Sequence, residues 1–183
     1  MSTVLQRRAP LNIKSIEDAR NCDWETVQDH RGTRDILVHD PGIPGKPRLY
    51  MKRMFGGTLK DGLRTLLSRG RTCSVARLEY ENLMDLHDAG IPACRPIAFG
   101  EDCSFFRERF SFIVTEQAPG DRTLLEFFQN CPDASLRAQV TEAVASLVRQ
   151  LHDRGFAWPD LYGRHIFVNI GQKIELCLID VHR

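Results

Sequence analysis

Trp158-Pro159-Asp160-Leu161-Tyr162-Gly163-Arg164-His165-Ile166-Phe167-Val168-Asn169 is the stretch whose reading decides the fold. A Pro-containing loop carries a carboxylate, and the chain then runs directly into a β-branched, apolar strand, Ile166–Asn169. A turn at Gly171 follows, and a second strand, Ile174–Ile179, ends in Asp180. A hairpin returns its two ends to each other. Asp160 and Asp180, at its two ends, can therefore converge on one point, as a phosphate-bound divalent cation requires. Taken singly, each Asp reads equally well as a turn residue or a cap.

Upstream of this stretch lies the longest periodic segment, Asp133 to Arg154, opened by Asp133 and closed by Gly155. Leu136, Val140, Ala143, Val144, Leu147 and Leu151 give it one apolar face. A short helix starts at Thr123, after the turn Ala118-Pro119-Gly120-Asp121. The first half of the chain reads mainly as short strands: Trp24–Gln28, Ile36–His39, Arg48–Arg53, Pro96–Phe99 and Phe110–Glu116. Within that half one helix runs from about Ser74 to Ala89, with Ser74 as its cap and Gly90 as its stop. This order is α+β in two lobes, with a hinge near Gln117–Asp121.

Composition excludes several classes. The chain has 183 residues, of which 42% are apolar, and its 25 basic residues nearly cancel its 24 acidic ones. It carries no net field to draw it onto nucleic acid or anionic lipid, and no nucleic-acid partner is expected. No apolar run approaches the ~18 residues of a membrane span. The polar Met1 to Arg20 segment lacks the apolar run of a secretory signal, so a cytoplasmic protein is expected. The six cysteines include no C-x-x-C pair, which removes zinc-ribbon and dithiol readings and leaves reduced, mostly buried thiols.

Two further residues stand out. Lys52 lies in the third strand, on the same face as Tyr50 by period two; alone it reads as a solvated strand lysine. Glu79 lies one helical turn from both Val75 and Leu83, inside the apolar stripe of its helix, whereas Glu81 falls on the opposite face. A carboxylate on a buried stripe is costly unless paired, and Lys52 is a candidate cation across the sheet. A Glu that reaches water from the helix flank is the plain alternative.

The order strand Lys, helix Glu, hinge, long helix, Asp loop, hairpin, Asp is that of the protein kinases. In that plan the Lys, oriented by the Glu, holds phosphates, the loop Asp accepts the acceptor's proton, and the last Asp holds Mg²⁺. The details depart from it. No G-x-G-x-x-G precedes Lys52, H-R-D reads Trp158-Pro159-Asp160, the metal-binding Asn position is His165, and D-F-G reads Asp180-Val181-His182.

Those departures have a pattern. Asp160-Leu161-Tyr162-x-x-His165 with Leu178-Ile179-Asp180-Val181-His182-Arg183 resembles the lipopolysaccharide kinase (Kdo/WaaP) family. Arg77-Leu78-Glu79-Tyr80-Glu81-Asn82-Leu83, Ala89-Gly90-Ile91-Pro92, Phe99-Gly100-Glu101 and Val114 to Gly120 extend the resemblance, which covers roughly Tyr50 to Arg183. It implies a protein-kinase-like bilobal fold, with an antiparallel N-lobe sheet carrying one helix and a mainly helical, partial C-lobe. The domains expected are an N-terminal extension (1–20), an N-lobe (21–117) and a partial C-lobe (118–183) ending just after the metal Asp. It also implies an ATP-dependent sugar kinase using Mg²⁺ or Mn²⁺, in which Lys52 and Glu79 orient ATP and the main chain of Glu116 and Ala118 receives adenine. Asp160 is the implied base, with Asp180 and His165 at the metal. The acceptor would be a glycan or glycolipid at the inner face of the membrane.

A compact atypical protein Ser/Thr kinase and a pseudokinase scaffold without turnover both remain open on the sequence. A kinase C-lobe normally continues well past the metal Asp, whereas this sequence stops three residues beyond it. The apolar face of the Asp133–Arg154 helix is therefore expected to lack cover.

Overall fold

The computed structural model describes residues 2–7, 11–30, 32–57, 63, 65–67, 70–104 and 107–181. Arg31, which with Gly32 and Thr33 reads from the sequence as a turn between the first two strands, and His182 and Arg183 of the last motif lie outside the described residues. The chain packs as two units: residues 1–82 with 95–117, and residues 83–94 with 118–181.

The first unit is a six-stranded antiparallel sheet in the order β1-β5-β6-β4-β3-β2. Its strands are β1 (Ser2–Arg7), β2 (Glu25–Asp29), β3 (Arg34–His39), β4 (Leu49–Met54), β5 (Pro96–Ser104) and β6 (Arg107–Glu116). Every interior strand expected from the sequence is present. Residues 2–7 pair along β5, and a short helix α1 (Ile16–Arg20) follows. Ile13 and Ala19 are buried with Leu37, Met51, Phe112 and Val114 in the main core, so this segment closes one face of the sheet. Polar residues such as Thr3 and Gln6 alternate along β1, which hides the strand from a search for apolar runs.

A longer helix, α2 (Val75–Asp88), begins in this unit. Ser74 Oγ accepts from the Arg77 N–H at 3.1 Å and caps it. At its far end Gly90 sits at φ 69°, and the Ile91 N–H reaches back to the Leu86 carbonyl at 2.8 Å. Only glycine takes that left-handed stop without strain. Residues 83–94 group with the second unit.

The second unit holds a three-stranded sheet β7-β8-β9 (Arg122–Thr123, Ile166–Ile170, Ile174–Leu178) and two helices, α3 (Leu124–Asn130) and α4 (Ala134–Asp153). Thr123 and Glu126 form a reciprocal capping box for α3. Asp133 Oδ1 accepts from the Ser135 and Leu136 N–H groups at 2.8 and 3.1 Å, starting α4 where the sequence placed it. The apolar face of α4 is covered, contrary to expectation. Val140, Leu147 and Leu151 are buried, Leu136, Ala143 and Val144 are half-buried, and the helix packs on β9. The hairpin after the Asp160 loop supplies the layer that sequence reasoning sought further downstream. No helix of the described residues is long and apolar enough to cross a membrane. Among the cysteines, Cys73, Cys94 and Cys177 are buried.

Candidate active site

In the first unit β4 lies between β3 and β6, so Lys52 stands opposite Ile36 on one side and Ile113 on the other. Directly opposite residues of an antiparallel pair point to the same face. Ile113 is in turn opposite Phe99 of β5, and the Tyr80 ring of α2 packs on Phe99 at 4.8 Å between centroids. That packing seats the first turns of α2 over the row containing Lys52. Lys52 Nζ donates to both Glu79 Oε1 and Oε2 at 2.8 Å. Glu79 is 3% exposed and the Lys52 side chain 15%. The periodicity that placed Glu79 on the apolar stripe thus corresponds to a buried, two-pronged ion pair.

Glu81 is held elsewhere. It accepts from Arg77 Nε at 2.9 Å and from Arg71. Burial pushes its carboxyl up, but the two guanidinium hydrogen bonds outweigh that and hold it below the usual range. Its face is therefore half-buried and salt-bridged, where the sequence suggested a wet one.

At the end of β6, the Glu116 N–H donates to the Arg95 carbonyl at 2.9 Å, and the Gln117 N–H to the Arg48 carbonyl at 2.8 Å. Ala118, buried, belongs to the second unit.

In the second unit the Asp160 loop is tied to the hairpin through His165. The Asp160 carbonyl accepts from the Tyr162 N–H and from His165 Nδ1, both at 2.9 Å. A carbonyl can only accept, so Nδ1 carries the proton and a neutral ring presents a bare Nε2. That Nε2 accepts from Arg164 Nε at 3.3 Å and lies 3.6 Å from Asp180 Oδ2. The Ile179 N–H donates to the His165 carbonyl at 2.9 Å, locking the exit of β9 to the same residue. Asp180 itself sits at φ 60°, the one positive φ among the described non-glycine residues. Such a conformation costs of order 1–3 kcal/mol and persists only where its surroundings over-determine it; Val181, 1% exposed, anchors the chain just beyond. Tyr162 is 49% exposed, with its hydroxyl 3.5 Å from Asp160 Oδ1.

The structure thus brings Lys52 to Glu79, and His165 to both the Asp160 main chain and the Asp180 carboxylate. Among the described residues there is no group of three or more His, Cys, Asp or Glu side chains able to hold a metal. The side chains that approach each other there, and could face a cation, are Asp180 and His165, with Nε2 3.6 Å from Oδ2. A hard divalent ion that keeps most of its waters and takes the rest of its ligands from phosphates suits so sparse a set. Arg164, which the sequence reading did not single out, shares the His165 Nε2; an exposed Arg in a loop carries no periodicity signal.

The profile of the lipopolysaccharide kinase (Kdo/WaaP) family matches residues 23–183. The chain belongs to this family. A lipopolysaccharide core heptose(I) kinase WaaP of Escherichia coli is 28% identical over 143 residues, which are 73% of this chain and 54% of the relative. The enzyme of the same name from Pseudomonas aeruginosa is 32% identical over 117 residues, covering 59% of this chain and 44% of its own length. The chain thus spans about half the length of the curated relatives it matches. A solved structure, WaaP in complex with acyl carrier protein, superposes with a TM-score of 0.65 at 24% identity, over 91% of this chain and 64% of that one. The α+β architecture is therefore the kinase-like fold of that structure, over the part this chain covers.

Proposed function

We propose that this member of the Kdo/WaaP family carries the phosphate-handling residues of an ATP-dependent kinase whose acceptor is a sugar hydroxyl of a lipopolysaccharide-type glycan. The observation that carries this is the buried two-pronged Lys52–Glu79 pair. A charged pair so enclosed is a poor device for stability, but it suits a lysine whose ammonium must meet phosphate oxygens in one fixed position. Lys52 would bind the α- and β-phosphates of ATP, with Glu79 holding its stem in place. The main chain of Glu116 and Ala118 would receive the adenine.

Asp160 would accept the proton of the acceptor hydroxyl as its oxygen bonds to the γ-phosphorus and the bond to ADP breaks. His165 and the Tyr162 N–H fix the Asp160 main chain, which sets the loop from which its carboxylate projects. Asp180, with His165 Nε2 once Arg164 releases it, would hold the divalent cation, Mg²⁺ or Mn²⁺. That ion supplies charge neutralisation on the phosphate oxygens. The acceptor would be a glycolipid presented at the inner face of the membrane.

The test is transfer from ATP to a dephosphorylated inner-core oligosaccharide, with Mg²⁺ or Mn²⁺, read as a phosphate ester by mass spectrometry. Asp160→Asn should still bind ATP while transfer falls by about 10²–10⁴-fold. Phosphate on protein serine instead of glycan would favour a compact protein kinase. ATP binding without transfer would favour a scaffold.

A further inference from the structure

Two carboxylates of the first unit are nearly as deeply buried as Glu79 yet take no part in the chemistry proposed above. Glu101 on β5 is 3% exposed and Glu108 on β6 is 7% exposed. Both meet the start of α2. Glu101 Oε2 accepts from the Ser74 N–H at 2.9 Å, and its Oε1 from Arg77 Nη1 at 2.9 Å. Glu108 Oε2 accepts from the Val75 N–H at 3.1 Å, and its Oε1 from the Ser111 hydroxyl. With Ser74 Oγ on the Arg77 N–H, the main-chain donors of Ser74, Val75 and Arg77 are all satisfied by side chains. Two of the three acceptors are buried anions, set where the positive end of the helix favours negative charge.

The sheet is adapted to deliver them. Opposite residues put Glu101 and Ser111 in the row next to Phe99 and Ile113, on the face that carries Lys52. Glu108 shares the parity of Phe110 and Phe112, which belong to the core on the other face. A bulge corrects this. The β5–β6 register steps from Asp102↔Phe110 to Cys103↔Glu108, so Arg109 is an extra residue and Glu108 turns to the face of Glu101. Gly57, just past the Lys52 strand, leaves room for it. A Cβ there would lie 2.9 Å from the Glu108 Cβ, and the Gly57 N–H donates to the Glu108 carbonyl at 2.9 Å.

We propose that Glu101 and Glu108 are positioning residues: by anchoring the first turn of α2 to β5 and β6 they fix the helix's rotation and height, and so keep the Glu79 carboxylate on the Lys52 ammonium. A helix turns about 100° per residue, so a one-residue slip at the anchor would swing Glu79 off Lys52. The functional consequence rests on the reading of Lys52–Glu79 as the ATP-orienting pair; the anchoring does not.

Acetylation of lysines by N-hydroxysuccinimidyl acetate under native conditions, quantified by peptide mass spectrometry, reads the pair without needing activity. Glu79→Gln sets the rate for Lys52 released from its carboxylate. Glu101→Gln and Glu108→Gln should each raise Lys52 labelling several-fold, toward the rate that Glu79→Gln sets. They should add nothing in the Glu79→Gln background. Exposed Lys14 and Lys173 serve as internal references. Unchanged Lys52 labelling in a folded Gln variant overturns the proposal, as does an increase that persists in full without Glu79. If a Gln variant fails to fold, Gly57→Ala displaces Glu108 with its charge intact and is judged by the same two criteria. An ATP titration of the same proteins separates the two readings. A wild-type chain that labels as expected but does not bind ATP ends the kinase reading and leaves the anchoring role standing.

Discussion

Replacing Lys52 by Met leaves the Glu79 carboxylate, 3% exposed, without the cation that holds both its oxygens. Two unit charges at ~2.8 Å in an effective dielectric of ~20 attract by about 6 kcal/mol. Taking each ion out of water costs several kcal/mol, so the intact pair nearly balances, and removing one partner exposes the other's desolvation. Lys52→Met should therefore lower stability by about 4 kcal/mol. Glu79→Met should cost less, about 2 kcal/mol, because a lysine stem can carry its ammonium toward water. Lys52→Met/Glu79→Met removes both charges and fills the site with apolar side chains of similar length. Its stability should lie within about 1 kcal/mol of wild type, since well-packed apolar replacements of buried ion pairs are often neutral. Urea unfolding followed by circular dichroism measures all three. A double variant as unstable as the two single losses added together would show that the residues are not coupled, and the buried pair would lose its standing.

Two further outcomes are expected. His165→Asn removes the imidazole from the hard-cation position and supplies an oxygen donor, so activity with Mg²⁺ should rise relative to Mn²⁺; an unchanged ratio would place His165 away from the metal, in the structural role of holding the Asp160 carbonyl. Burial pushes the Cys177 thiol up to about 12 from 9.0. The unfolded chain therefore loses this proton first, and its contribution to stability, complete below pH 9, declines by about 1.4 kcal/mol per pH unit between roughly 9 and 12. Cys177→Ala should flatten that alkaline decline in urea titrations at pH 9 and 10, and a slope identical to wild type would refute the assignment.

Much of the candidate site was legible because it follows local rules. Period two put Lys52 on one face of its strand, period 3.6 put Glu79 within a buried stripe, and the hairpin between Asp160 and Asp180 allowed their ends to approach through one residue, His165. Capping chemistry located Ser74 and Asp133 at helix starts, since a hydroxyl or carboxylate is what the free N–H groups need, and the turn before Thr123 located a third. The polar strand β1 and the short helix α1 were not legible: neither shows a long apolar run, and β1 exists because β5 offers it an edge.

The sequence by itself determined the element order from β2 onward, the facing of Lys52 and Glu79, and the membership of Asp160, His165 and Asp180 in one loop-and-hairpin unit. Each of these depends on spacing within a few residues. Only the tertiary structure decided what meets across strands. Parity along β6 assigns Glu108 to the Phe110 core, and one extra residue in the β5–β6 register moves it to the helix start. Which oxygen of Glu101 meets which donor, and that the β8–β9 hairpin covers the α4 face, depend likewise on pairings between segments distant in sequence. A bulge or an edge pairing leaves no periodic trace in either strand, because it is a property of two chains of hydrogen bonds in register and not of one.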